Sequence, residues 1–283
     1  MMMQIGVHRG DTGMAAAKPI ICVGLSMFII ILVVLSGCSL GNRTTVGTGL
    51  LETREINQTD FTKLEVGYAF DVEISEGDSY TVKVTVDDNL TDYLEIEKRG
   101  DTLRLGLKSS RTYIKTTHQA VITMPVLRQL KLSGASKANI EGFSSVDLIK
   151  FDLSGASQVL VSNLKAGNIE FNITGRSHAS GNLEMTNGKV NLSGGSTIDL
   201  EGSGVKASIV ASDGSQINLG DLVLIDTKAN LSGASTATVN SRGKLDAELS
   251  DASRLYYIGS PALGKIQTSG SSIISHKPDS SVN

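Results

Sequence analysis

A four-residue phrase occurs eight times between residues 133 and 272 of this chain. It reads SGAS at 133–136 and 154–157, TGRS at 174–177, SGGS at 193–196, SDGS at 212–215, SGAS at 232–235, SDAS at 250–253 and SGSS at 269–272. Its second position is Gly134, Gly155, Gly175, Gly194, Asp213, Gly233, Asp251 and Gly270, at successive spacings of 21, 20, 19, 19, 20, 18 and 19. A constant period marks a solenoid, in which each unit buries its apolar face only against its neighbours. Two helices need a repeat of more than ~30 residues, so a unit this short has room only for short strands and turns.

The register follows from the residues beside the phrase. Leu130 and Leu132, Phe151 and Leu153, and Phe171 and Ile173 fall on one side, with Lys131, Asp152 and Asn172 between them. After the turn, Ser196, Ile198 and Leu200 alternate with Thr197 and Asp199. A period of two sends one set into a core and the other into water. A leucine-rich repeat fits the length but requires a fixed asparagine ladder and leucine spacing that are absent. The pattern predicts an all-β protein, a right-handed parallel β-helix of about eight coils of 18–21 residues. Each coil is read as two short strands and two turns.

Glycine at the corner permits a positive φ, and Asp213 and Asp251 tolerate it better than most residues. The last residue of each phrase belongs to the inward set: Ser136, Ser157, Ser177, Ser196, Ser215, Ser235, Ser253 and Ser272. A stacked row of small hydroxyl residues without a base is a set of corner fillers rather than nucleophiles. Each hydroxyl is expected to bond backbone or the serine of the next coil.

Strand alternation is continuous upstream, in FTKLEVGYAFDVEISEG, YTVKVTVDD and DTLRLGLK, and enters the first repeat without a Gly/Pro-rich linker. This predicts one domain over 50–277. Residues 50–125 form an N-terminal β part that covers or extends the first end of the 126–277 repeats and joins their core, and 278–283 form a polar, disordered tail.

Residues 1–37 stand apart. Arg9 and Lys18 precede the uncharged run PIICVGLSMFIIILVVL, which ends in LSGC at 35–38. An aliphatic residue, two small ones and a cysteine after an apolar run resemble a bacterial lipobox. The expectation is a signal peptide over 1–37, palmitate-type lipidation of Cys38, and a flexible tether over 38–49. The protein would then sit in the bacterial cell envelope, anchored by lipid to the inner or the outer membrane. Loss of Cys22 with the signal leaves Cys38 as the one cysteine, so neither a disulfide nor a zinc cluster forms within the chain.

The net charge of −3 gives no electrostatic reason for a nucleic-acid partner. Outward positions after the turn read Lys137, Gln158, His178, Thr197, Gln216, Thr236, Arg254 and Ile273. Two residues later they read Asn139, Leu160, Ser180, Asp199, Asn218, Thr238, Tyr256 and Ser275. Carboxylates do not stack there as a polysaccharide-cleaving site requires. His118, His178 and His276 are dispersed and read as lone surface residues, and Asp87 and Asp88 as an exposed turn. No catalytic, cofactor-binding or metal-ligating set emerges. The reading is a non-enzymatic surface for protein or glycan. An envelope-stress scaffold and a polysaccharide-active enzyme are the alternatives. The thinly covered distal end around Tyr256, Tyr257 and Ile273, with Tyr256 pointing out and Tyr257 in, either closes the core or offers a contact for homo-oligomers.

FTKLEVGYAFDVEISEGDSYTVKVTVDDNL, then GDTLRLGLK, then VITMPVLRQLKLSGAS, with Pro125 to Leu127 and the eight turns, resemble the auto-transporter adhesin head GIN-domain family. The resemblance runs from about Phe61 to about His276. It implies a β-helical fold, a role in adhesion or surface binding, and no transferable catalytic or binding residue. Aspartate in two turns departs from the glycine pattern.

Overall fold

The computed structural model describes residues 43–278. Cys38, the signal segment and residues 279–283 lie outside the described residues. Parallel coils stack into a β-solenoid of about seven turns, one fewer than the eight phrases suggest. Each regular coil is a nearly continuous strand, as in Gln158–Ile173, His178–Leu192, Thr197–Ala211 and Gln216–Leu231.

The coil has three segments rather than two. In Gln158–Ile173 the buried residues are Val159 and Val161, then Leu164 and Ala166, then Ile169, Phe171 and Ile173. Inward parity slips by one residue after Val161 and again after Ala166, so the chain bends twice between Ser-Gly corners. The first bend takes an extra residue with positive φ at Asn163 (φ 55°), or a glycine, as at Gly181 (φ 128°). A Cβ at Gly181 would lie 1.8 Å from the Val161 carbonyl oxygen of the coil below. The core is mostly aliphatic with five buried phenylalanines, of which Phe151 and Phe171 stack in register, ring centroids 4.8 Å apart.

The corners carry a reversal of polarity. Positive φ occurs at Gly134, Gly155 and Gly175 alone, but at both central residues in 194–195, 213–214, 233–234, 251–252 and 270–271. These are the signatures of type II′ and type I′ turns. The Ala156 and Arg176 amides donate back to Gly134 and Gly155, at 2.7 and 2.8 Å. Those of Gly214, Ala234 and Ala252 donate forward to Gly233, Asp251 and Gly270, at 2.7–2.8 Å. The central peptide is turned over between the two halves of the stack.

The first end is interleaved. Lys63–Val66 and Asp71–Glu76 form a parallel coil that abuts Gln129–Leu132 and Lys137–Glu141. Thr102–Leu107 and His118–Met124, later in sequence, stack on the outer side of that coil. Antiparallel strands then close both edges: Leu94–Arg99 on Thr102–Leu107, and Thr81–Asp87 on His118–Met124, with Leu51–Glu55 beyond it. Their buried residues belong to the same apolar cluster as the repeats. NLTDY lies in a 3-10 helix at Asp88–Tyr93.

Part of the stretch read as tether is ordered. Arg43–Val46 pairs in parallel with Arg111–Ile114. The reason is Asp87, which is buried and accepts the Gly49 and Thr117 amides at 2.6 and 2.7 Å.

Candidate functional site

The corner serines line the inside of the stack. Seven of them, Ser136 to Ser253, are buried, and Ser272 is half-buried. The hydroxyls of Ser136, Ser157, Ser196, Ser215, Ser235 and Ser253 donate to the carbonyl three residues earlier, at 2.5–3.0 Å. Each therefore closes its own turn rather than bonding the next serine. Two of the serines also reach the neighbouring coil: Ser196 donates to the Ile173 carbonyl, and Ser272 accepts the Ser253 amide, each at 3.1 Å. Ser177 Oγ has no partner among the described residues. In the first coils Phe70 and then His118 take the serine's place in the register.

Two polar residues at this end differ from their sequence reading. Asp87 is buried rather than part of an exposed turn, and His118 is 8% exposed rather than on the surface. Burial by itself would raise the Asp87 carboxyl. The amides of Thr117 and Gly49, its own amide and the nearby His118 hold it below the usual carboxylate range. Burial pushes His118 down, against its Nδ1 contact with the Tyr68 carbonyl at 2.8 Å and the charge of Asp87. The alternation His118, Ala120, Ile122, Met124 carried this signal.

The face after the corner presents the two columns in register. Lys137, Gln158, His178, Thr197, Gln216, Thr236, Arg254 and Ile273 align coil over coil. Beside them run Asn139, Leu160, Ser180, Asp199, Asn218, Thr238, Tyr256 and Ser275, with Asn218 donating to Asp199 at 3.1 Å. Tyr256 and Tyr257 are both half-buried; Tyr257 packs on the core and lies 5.2 Å from the His276 ring.

Before the corner lies a second outward face, to which Lys131, Asp152 and Asn172 belong. One outward row begins Arg104, Glu65, Lys131, Asp152, Asn172, Asn191. Its members bond in series: Arg104 and Lys131 to Glu65 at 3.3 and 3.0 Å, then Asn172 to Asp152 and Asn191 to Asn172 at 2.8 and 2.7 Å. A depression of about 440 Å³ near its start contains Glu65, Glu95 and Glu97. Glu97 is held below the usual carboxylate range first by its bond to Arg99. A general acid requires a shift in the other direction. Among the described residues, no group of three His, Cys, Asp or Glu is disposed to hold a metal ion.

Residues 60–261 match the family model described as "Putative auto-transporter adhesin, head GIN domain". The chain belongs to this family. No curated protein matches it. Solved structures with the same fold include a "putative adhesin" from Parabacteroides merdae, 18% identical with TM-score 0.75, covering 83% of this chain and 99% of that one. A "putative lipid binding protein" from Parabacteroides distasonis is 24% identical with TM-score 0.76, over 83% and 100% of the two chains. A "putative adhesin" from Bacteroides fragilis is 19% identical with TM-score 0.62, over 82% and 100%. At these identities the likeness concerns the fold of the GIN domain and not its ligand.

Proposed function

We propose that this GIN-domain protein is a non-enzymatic component of the bacterial cell envelope, held by lipid on Cys38, that presents its solenoid faces for adhesion to protein or glycan. The observation that carries this reading is the in-register polar face after the corner. Apart from Leu160 and Ile273, its side chains can donate or accept hydrogen bonds, and each coil adds one position to each column. A flat lattice of donors and acceptors spaced at ~4.8 Å suits an extended ligand better than a small molecule in a pocket. The family description and the LSGC motif support the surface location.

The test has two arms. Membrane fractions are compared for the wild-type chain and Cys38→Ser after palmitate labelling. The variant should lose both label and membrane association; retention of both would overturn the anchor. Intact envelopes and a glycan array are then probed with the wild-type chain. Turnover of a bound polysaccharide, or binding to nothing in either, would overturn the reading.

A further inference from the structure

Cations are distributed unevenly over the face that precedes the corners. In the first coils, Lys63, Arg104, Arg128, Lys131 and Lys150 each lie within 3.3 Å of a carboxylate oxygen. The later coils carry Lys189, Lys206, Lys228, Lys244 and Lys265, all exposed. Lys189 reaches Glu170 at 3.8 Å and Lys244 reaches Asp246 at 2.8 Å. No ion pair among the described residues includes Lys206, Lys228 or Lys265.

The register arranges these lysines. Lys189, Ser208, Lys228 and Asp246 follow one another in one outward row, and Asn187, Lys206 and Asp226 in the row beside it. Lys244 directly precedes Leu245, which pairs with Thr227, and so continues the second row; in the last coil the register shifts, so that Gly264 and Lys265 together lie opposite Asp246 and Lys265 ends the first row. The lysines therefore alternate between two rows and climb one coil at a time. Within a row they recur every second coil, a pitch of ~10 Å. The intervening acids are drawn toward backbone. Asp226 Oδ1 accepts the Lys244 amide at 3.1 Å, and Asp246 Oδ1 accepts the Lys265 amide at 2.7 Å. The other acids facing these lysines are Glu170, which precedes Lys189 in its row, and Glu248, which lines the depression beside Lys265. The surface is also concave: depressions of about 330 and 300 Å³ share Lys228, Lys244 and Asp246 and so form one groove along the stack.

We propose that this groove binds a linear polysaccharide bearing carboxylate groups, laid along the stack, with the lysines of successive coils pairing its uronates. The proposal rests on the reading of the protein as a surface-binding module and names the ligand class. Charge complementarity selects an anion. A pitch that repeats over five coils selects a polymer with regularly spaced charges. The flanking Asn187, Ser208 and Asn230 offer hydrogen bonds to sugar hydroxyls.

The test uses the full chain in detergent, with polygalacturonate as probe, dextran as neutral polymer and phosphatidylglycerol vesicles as a second anion. The wild type should bind polygalacturonate in a salt-sensitive way. Combining Lys206→Gln, Lys228→Gln and Lys265→Gln should weaken binding about tenfold. Removing the same charge through Lys83→Gln, Lys98→Gln and Lys108→Gln at the first end should change it by less than about twofold. Matching thermal melts show that both variants fold. Equal loss in both variants, or none in either, overturns the proposal. Binding to dextran or vesicles without polygalacturonate overturns it and leaves the binding reading standing. Absence of binding to every probe, together with a blank envelope and glycan screen, overturns both.

Discussion

Gly155→Ala isolates the demand of a single corner. Gly155 has φ 77°, and a Cβ built on it lies 2.6 Å from the Gly134 carbonyl oxygen of the coil below. Two costs follow. Holding a residue with a Cβ in the left-handed region costs ~1–2 kcal/mol. Relieving the contact moves the backbone that carries the Ala156-to-Gly134 hydrogen bond of 2.7 Å, a bond worth ~1 kcal/mol. The sum, ~2–3 kcal/mol, lowers Tm by ~5–10 °C in a domain of this size. Thr197→Val, at an outward strand position, should melt with the wild type. Gly155→Asp should be no better than Gly155→Ala, although aspartate occupies the same corner at 213, because the corner at 155 has the type II′ form. The assay is thermal unfolding by circular dichroism, with hydrogen exchange of the Ala156 and Arg176 amides to localise the effect. A Gly155→Ala variant that melts within about 1 °C of wild type would refute the corner argument.

Three further outcomes are expected. Because burial places the folded-state pKa of His118 below its ordinary value, the unfolded chain takes up the proton first, so stability falls as pH drops below about 6.5. Asp87, whose carboxyl is held low, keeps its contribution until pH falls below about 3.8. Urea midpoints at pH 7 and 5 should therefore differ less in His118→Gln than in wild type, and an unchanged difference would refute the assignment. Limited proteolysis should yield no stable fragment beginning near residue 126, because the strands before it belong to the same apolar cluster; such a fragment would identify a separate N-terminal domain. Tyr256→Asp should reduce concentration-dependent association in sedimentation, and association equal to wild type would remove the distal end as a self-contact.

The repeat and its inward parity were legible because both are local. Every coil spends the same corner residues, and period two assigns each neighbour to a side. The third segment was hidden because its bends have no fixed residue. Asn163 makes one, Gly181 another, and the second bend in the same coil falls at Gly167 and Asn168. The interleaving of the first end depends on pairing between strands dozens of residues apart, which alternation alone does not encode. Asp87 breaks the alternation Val82, Val84, Val86 and gave no sign of burial. His118 kept its alternation with Ala120 and Ile122, so its burial was readable. The lysine groove was also within reach, since Lys189 and Lys228 lie between buried positions and Lys206 and Lys244 directly precede the buried Ala207 and Leu245.

The interleaved first end also constrains how a chain of this kind changes length. Its outermost parallel coil, from Thr102, is later in sequence than the coil it covers, from Lys63. Past the peripheral strand Leu51–Glu55, a deletion from the N-terminus therefore removes an inner coil before the one that covers it. Duplication of a corner-to-corner unit meets no such obstacle. Its two ends occupy equivalent places in adjacent coils, so a copy continues every outward row by one more residue. Reach and ligand footprint are thus adjustable in steps of one coil, while the closed end remains a fixed foundation.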